Sequence, residues 1–205
     1  MPTQVVPLPA SGGHAYLLRG EGGSVLVDTG TQKLAEHTLA ACHHMGLKLI
    51  LLTHGHFDHC QNAAYFAKEL HCPVAISPLD APLLKGEKRT VSGEGLWGKA
   101  FAWASNRNIQ KQPLPEAVPT VFLEDGMSLA PYGIDGKVVA LPGHTAGSMG
   151  VFLDNRELLA GDAMSGLWGP GPAWCWEDKA LMEASLEKIR GLRAKRIYTG
   201  HSLRV

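Results

Sequence analysis

The sequence predicts a layered α/β sandwich, and three observations carry that expectation. Short β-rich runs recur along the chain, and stretches with helical apolar spacing stand at both ends of the pattern. One run, Leu47 to Leu52, is apolar enough to fit a strand buried on both faces.

The elements follow in order. His14 to Arg19 and Ser24 to Asp28 read as strands joined by the hairpin signal Gly20-Glu21-Gly22-Gly23. Thr31 stands where it can cap a helix running to about Met45, with Leu34, Thr38, Ala41 and Met45 at helical spacing and Gly46 as its stop. Leu47 to Leu52 comes next, then a helical pattern over Gln61 to Leu70 and a short strand over Pro73 to Ile76. From Pro78 to Pro119 the pattern weakens. There Leu96, Trp97, Phe101 and Trp103 sit among polar residues, which predicts a helical insertion and a lid over residues 86–112. Strand signals return at Val121 to Leu123, Met127 to Leu129, Lys137 to Leu141, Met149 to Leu153 and Glu157 to Ala160. Asp178 to Leu192 carries a helical apolar face, and Arg196 to Thr199 closes as a strand. No repeat or linker divides the chain, so residues 1–205 are expected to form one domain.

Composition narrows the function classes. The 45% hydrophobic share suffices for a sizeable core. Lys plus Arg equals Asp plus Glu at 19 each, with no basic stripe, so no nucleic-acid partner is expected and small or neutral ligands are. The N-terminus lacks a charged segment leading into a long apolar one, and no apolar stretch approaches the ~20 residues of a membrane helix. The four cysteines form no C-x-x-C pair, which fits reduced thiols and a cytoplasmic location. Oligomeric state is not legible.

The chemistry concentrates in Thr53-His54-Gly55-His56-Phe57-Asp58-His59. In extended chain, residues two apart point the same way, so His54 and His56 can bind one metal together. Asp58 and His59, past the bend, can turn to a second. Four such groups in six residues would be costly to desolvate without a cation among them. Three further residues follow strand-like runs: His144 after Leu141, Asp162 after Glu157 to Ala160, and His201 after Arg196 to Thr199. Each is a weak signal alone, and with the dense motif they supply the ligands that two metals need.

In that ordered set, running from Val27-Asp28-Thr29-Gly30 to Tyr198-Thr199-Gly200-His201, the chain resembles the metallo-β-lactamase superfamily. The resemblance implies a four-layer αββα sandwich with two metals in a groove at one edge of the sheets. It further implies that His54, His56 and His144 hold the first metal, that Asp58, His59 and His201 hold the second, and that Asp162 bridges them. Asp28 corresponds to the aspartate that holds a ligand histidine by hydrogen bonding. Two Zn2+ per chain are expected, with Fe or Mn as alternatives, because diiron flavoproteins of the superfamily carry a carboxylate where His56 stands. Two metals on the order of 3.5–4 Å apart can activate a shared hydroxide at neutral pH, with Asp58 orienting it.

The implied activity is hydrolysis of a small thioester, ester or lactone. Asp162 stands where β-lactamases of the superfamily often have Cys or Ser, and Pro142 to Ser148 is closer to the glyoxalase-II-like branch. The C-terminal helical domain that helps hold glutathione in that branch has no counterpart, so glutathione is not carried over. Quorum-sensing lactonases place Tyr three residues after the bridging Asp, where this chain has Ser165. An iron-dependent oxidoreductase such as a persulfide dioxygenase, or a phosphodiesterase, is the alternative, and a non-catalytic metal-binding protein is a third class. Trp97, Trp168, Trp174 and Trp176 are expected to wall the substrate pocket.

Overall fold

In this computed structural model, which describes residues 2–165 and 171–201, two sheets are sandwiched between helices. The first sheet contains β1 (Gln4–Leu8), β2 (Ala15–Arg19), β3 (Ser24–Val27), β4 (Leu47–Leu51), β5 (Val74–Ile76) and β6 (Val121–Phe122), in that spatial order. Strands β1 to β3 form an antiparallel meander, and β3 to β6 run parallel. Parallel neighbours need crossovers. Helix α1 (Ala35–Cys42) lies between β3 and β4, α2 (Phe57–Cys60) and α3 (Ala63–Leu70) between β4 and β5, and α4 (Gly95–Lys111) between β5 and β6. The second sheet opens with β7 (Gly136–Ala140), β8 (Met149–Leu153) and β9 (Glu157–Gly161), which pair antiparallel. A two-stranded ribbon of β10 (Met164–Ser165) and β11 (Gly171–Pro172) and then α5 (Lys179–Leu192) follow, and β12 (Arg196–Thr199) returns parallel to β9.

Period-two alternation builds the layers. Val25 and Val27 of β3 and Leu49 and Leu51 of β4 face Val138, Val151, Leu153 and Leu159 of the second sheet. Their neighbours Leu26 and Ile50 point the other way, onto Leu39 and Cys42 of α1 and Ala63 and Phe66 of α3. Val139 and Leu158 meet Leu186 and Ile189 of α5 on the outer face of the second sheet. The result is the αββα order, and each buried aliphatic side chain contributes about 1.5–3 kcal/mol.

The structure departs from the sequence expectation in several places, the β10–β11 ribbon among them. Strand β1 was not expected; Pro7 interrupts its pattern but is tolerated because β1 is an edge strand. The Thr31 side chain caps nothing, its N–H is held by Ser11 O at 2.7 Å, and a 3-10 turn at Gln32–Leu34 precedes an α1 that ends at Cys42 rather than Met45. Asp58 and His59 lie on α2, which starts before Gln61. Met127 to Leu129 forms only one bridge, Ser128 with Lys137, and then turns at Ala130–Tyr132, where Pro131 has no N–H to extend a ladder. The four cysteines are buried and unpaired, and among the described residues no helix is long and apolar enough to cross a membrane.

Candidate metal centre

The site forms where strand ends of both sheets meet. Beyond β4 the chain bends at Thr53 and His54 and is extended again at His56 (φ −72°, ψ 145°), which brings the His54 and His56 rings together before α2 begins. Their ring centroids are 4.8 Å apart, and His144, in the turn after β7, stands 4.8 Å from His54 and 4.7 Å from His56. All three are buried. Beside this triad, His201 Nε2 lies 3.5 Å and His59 Nε2 4.0 Å from Asp58 Oδ2. Asp162, just past β9, sits between the two groups: its carboxylate oxygens are 3.1 Å from His201 Nε2, 3.5 Å from His59 Nε2 and 3.6 Å from His144 Nε2. The structure thus brings all seven expected ligand residues into one cluster, in overlapping groups whose donor atoms lie within 4.8 Å of one another.

Hydrogen bonds on the far side of three of the rings, those of His144, His59 and His54, fix which nitrogen faces inward. His144 Nδ1 lies 2.9 Å from the Cys175 carbonyl, which only accepts, so Nδ1 carries the proton and Nε2 keeps its lone pair. His59 Nδ1 donates to Asp28 Oδ2 at 2.8 Å, which turns its Nε2 towards the cluster. Thr53 Oγ1 gives its one proton to Asp28 Oδ2 at 2.8 Å, so at 3.1 Å it accepts from His54 Nδ1. Asp28 therefore orients two of the histidines, one directly and one through Thr53. It does so from a left-handed backbone (φ 59°), just past β3.

The donor set fits metal ions. Nε2 of His54, His56 and His59 and Oδ1 of Asp162 are buried without hydrogen-bond partners, a costly arrangement unless a cation lies among them. Burial pushes His54 and His56 well below the usual histidine range, into the neutral form that ligates metal. Burial alone would do the same to His59, but the Asp162 and Asp28 carboxylates hold it well above that range. Burial works to raise the Asp162 carboxyl, yet His201 and His59 pull it well below the usual carboxylate range. Positive charge is favoured at the centre of the cluster.

Two glycines make room for this packing. A Cβ at Gly200 would fall 1.9 Å from Asp162 Oδ1, and one at Gly13 would fall 2.6 Å from His59 Cε1. A further residue, Asp80, escaped the sequence reading. Fully buried, it accepts from Gly55 N–H at 3.0 Å, Gly147 N–H at 3.0 Å and Thr145 Oγ1 at 2.7 Å, and so ties the His54–His56 bend to the His144 turn. The signal that marks it is an acid four residues beyond the end of β5, within Ser77-Pro78-Leu79-Asp80.

A cavity of about 370 Å³ opens beside the cluster, with His56, Asp58, His144, Asp162 and His201 on its surface. Helix α4, within the expected 86–112 insertion, forms one wall, and Phe101 meets Trp174 there at a centroid distance of 6.1 Å. Of the four expected pocket tryptophans, Trp174 lines the cavity. Trp97 is 76% exposed on α4 and does not, because its side chain turns to solvent. Trp176 does not line it either; its backbone pairs in both directions with Ser92 at 2.7 and 2.9 Å. Trp168 lies outside the described residues.

Comparison with known proteins agrees with this architecture. The sequence profile of the metallo-beta-lactamase superfamily matches residues 8–201. A probable metallo-hydrolase, YflN, of Bacillus subtilis is 29% identical over 93% of this chain and 76% of its own length. A hydroxyacylglutathione hydrolase of Albidiferax ferrireducens is 28% identical over 97% of this chain, which spans 66% of that relative's length. Among solved structures, TTHA1623 in a di-iron-bound form superposes with a TM-score of 0.70 at 28% identity, covering 98% of this chain and 93% of that one. The family protein TTHA1429 of Thermus thermophilus gives a TM-score of 0.71 at 25% identity, covering 99% and 74%. The ordered ligand motifs, the αββα layers and the profile match converge on one conclusion: the chain belongs to the metallo-beta-lactamase superfamily.

Proposed function

We propose that the protein is a two-zinc hydrolase acting on a small carbonyl substrate, a thioester, ester or lactone. The position of Asp162 carries this reading: one carboxylate within 3.6 Å of a histidine from the first triad and of two from the second is suited to bridging two ions. His54, His56 and His144 would hold one zinc, and Asp58, His59 and His201 the other. When bound, such metals lower the pKa of water towards neutrality and polarise a carbonyl oxygen.

The chain's own groups do the rest. Asp58 lines the cavity and accepts a hydrogen bond from the attacking water, orienting it towards the substrate carbon. Asp28 and Thr53 keep the ligand rings from rotating. Phe101 and Trp174 limit the water around the reacting carbonyl. Overall, water oxygen bonds to the acyl carbon, the C–S or C–O bond breaks, and the leaving group takes a proton.

A second reading is an iron-dependent oxidoreductase; the solved relative TTHA1623 in its di-iron-bound form supports iron as a candidate metal, not that activity. Metal analysis of protein purified without added metal, combined with thioester, lactone, phosphodiester and β-lactam panels, separates the two. Two zincs per chain with carbonyl hydrolysis is the expected result. One iron per chain with oxygen consumption overturns it, and turnover confined to phosphodiesters overturns the substrate class.

A further inference from the structure

We propose that the cavity beside the metal cluster receives an uncharged, apolar acyl group; this rests on the carbonyl-hydrolase reading and narrows its substrate class. Away from the cluster the wall is built from Val91, Phe101, Ile109, Met164, Ala173 and Trp174. Helix α4 turns a single stripe inward, Phe101, Ala104, Ser105, Asn108 and Ile109, at the i, i+3, i+4, i+7, i+8 spacing of one helical face. The polar members, Ser105 and Asn108 together with Ser165 beyond the stripe, are uncharged.

Among the described residues no Lys or Arg lines this cavity. A glutathionyl group carries two carboxylates, and bringing them against an apolar wall without cationic partners is costly. Two cations, Lys88 and Arg89, line an adjoining cavity of about 260 Å³, and both are already bonded within the protein. Arg89 binds Glu87 Oε1 at 2.7 Å and the Leu79 carbonyl at 2.8 Å, and Lys88 Nζ donates to the Gln110 carbonyl. The ligand this lining fits is a neutral aliphatic chain attached to the scissile carbonyl.

The test uses the full chain loaded with zinc. Its substrates are N-acetylcysteamine thioesters from acetyl to octanoyl and the glutathione thioesters of the same acids. We expect kcat/KM to rise about fourfold per methylene until the cavity is full. We also expect no gain from glutathione. Ala104 is exposed on α4, and Ala104→Phe, which crowds the stripe, should lower the octanoyl-to-acetyl preference tenfold or more. Rates independent of acyl length, a tenfold preference for glutathione, or an unchanged preference in Ala104→Phe would each overturn the proposal. Binding is read separately, by tryptophan fluorescence titrated with acetamide through octanamide, and Trp174→Phe should remove most of the signal. Graded binding without turnover of any ester or thioester would leave the pocket standing and sink the hydrolase reading. Turnover without graded binding would do the reverse.

Discussion

Thr145 Oγ1 donates a 2.7 Å hydrogen bond to the fully buried carboxylate of Asp80, and that bond joins the His144 turn to the bend carrying His54 and His56. Because the Thr145 proton is spent on Asp80, Ser148 Oγ donates to Thr145 Oγ1 at 2.8 Å, extending the brace. Asp80→Asn keeps the shape but cannot accept from every donor. Metal affinity is expected to fall 10- to 100-fold, as it does for residues that orient ligands. Competition against a calibrated chelator measures this, and wild-type affinity would remove Asp80 from the positioning network.

Gly200→Ala is expected to displace Asp162, because the added methyl falls 1.9 Å from Oδ1 and 2.7 Å from His59 Cε1. Metal content should drop from two ions per chain to one or fewer. Gly191→Ala is the contrast: on α5 its methyl meets nothing within 4 Å. That variant should be more stable by roughly 0.5–1 kcal/mol with its metals unaffected. Equal metal content in both variants would show that the cluster tolerates a shifted Asp162.

Metal removal should lower thermal stability. The ligands follow β4 in one sheet and β7, β9 and β12 in the other, so a bound ion holds only when both sheets are docked. At free zinc a hundredfold above Kd the gain is about 2.7 kcal/mol, or roughly 5–10 °C in Tm for a chain of this size. Calorimetry before and after chelation checks it; an unchanged Tm would mean that the cluster binds no ion tightly.

Two core thiols predict alkaline sensitivity. Burial pushes Cys42 up to about 11 and Cys72 up to about 12, from 9.0 in the unfolded chain. Raised folded-state values mean that the contribution is complete below pH 9 and is lost as pH climbs through 11 and 12. The loss is at most about 3 kcal/mol for Cys42 and about 4 kcal/mol for Cys72, reduced where solvent screens the thiolate. Urea unfolding at pH 8 and pH 10.5 should show the decline, and a Cys42→Ala, Cys72→Ala variant should lessen it, the remainder coming from Cys60 and Cys175, which burial also raises. An identical slope in that variant would assign the alkaline loss to other groups.

Much of the fold and site was legible because strand ends and ligands are local signals. The apolar run at β4, followed by His54 to His59, announces both a buried strand and the groups it delivers. His144, Asp162 and His201 could be expected because each follows a strand-like run. Asp80 was hidden, since its partners Gly55, Thr145 and Gly147 come from distant segments that only the fold brings together. Thr53 was hidden for a similar reason: its role is set by where its single proton goes. Exposure also misled. Tryptophans read as pocket residues from their density, yet Trp97, one turn before Phe101 on the same face of α4, lies short of the cavity and is exposed.

Helix α4 supplies a wall of the cavity and none of the ligand side chains. One wall of the cavity is thus encoded in a stretch that carries no ligand, while Met164 and Trp174 line the same cavity beside Asp162 and the Cys175 carbonyl that holds His144. Substitutions along one helix can alter which molecule is admitted while the ion-binding groups stay in register. A lineage built this way can change its substrate many times and keep a single reaction.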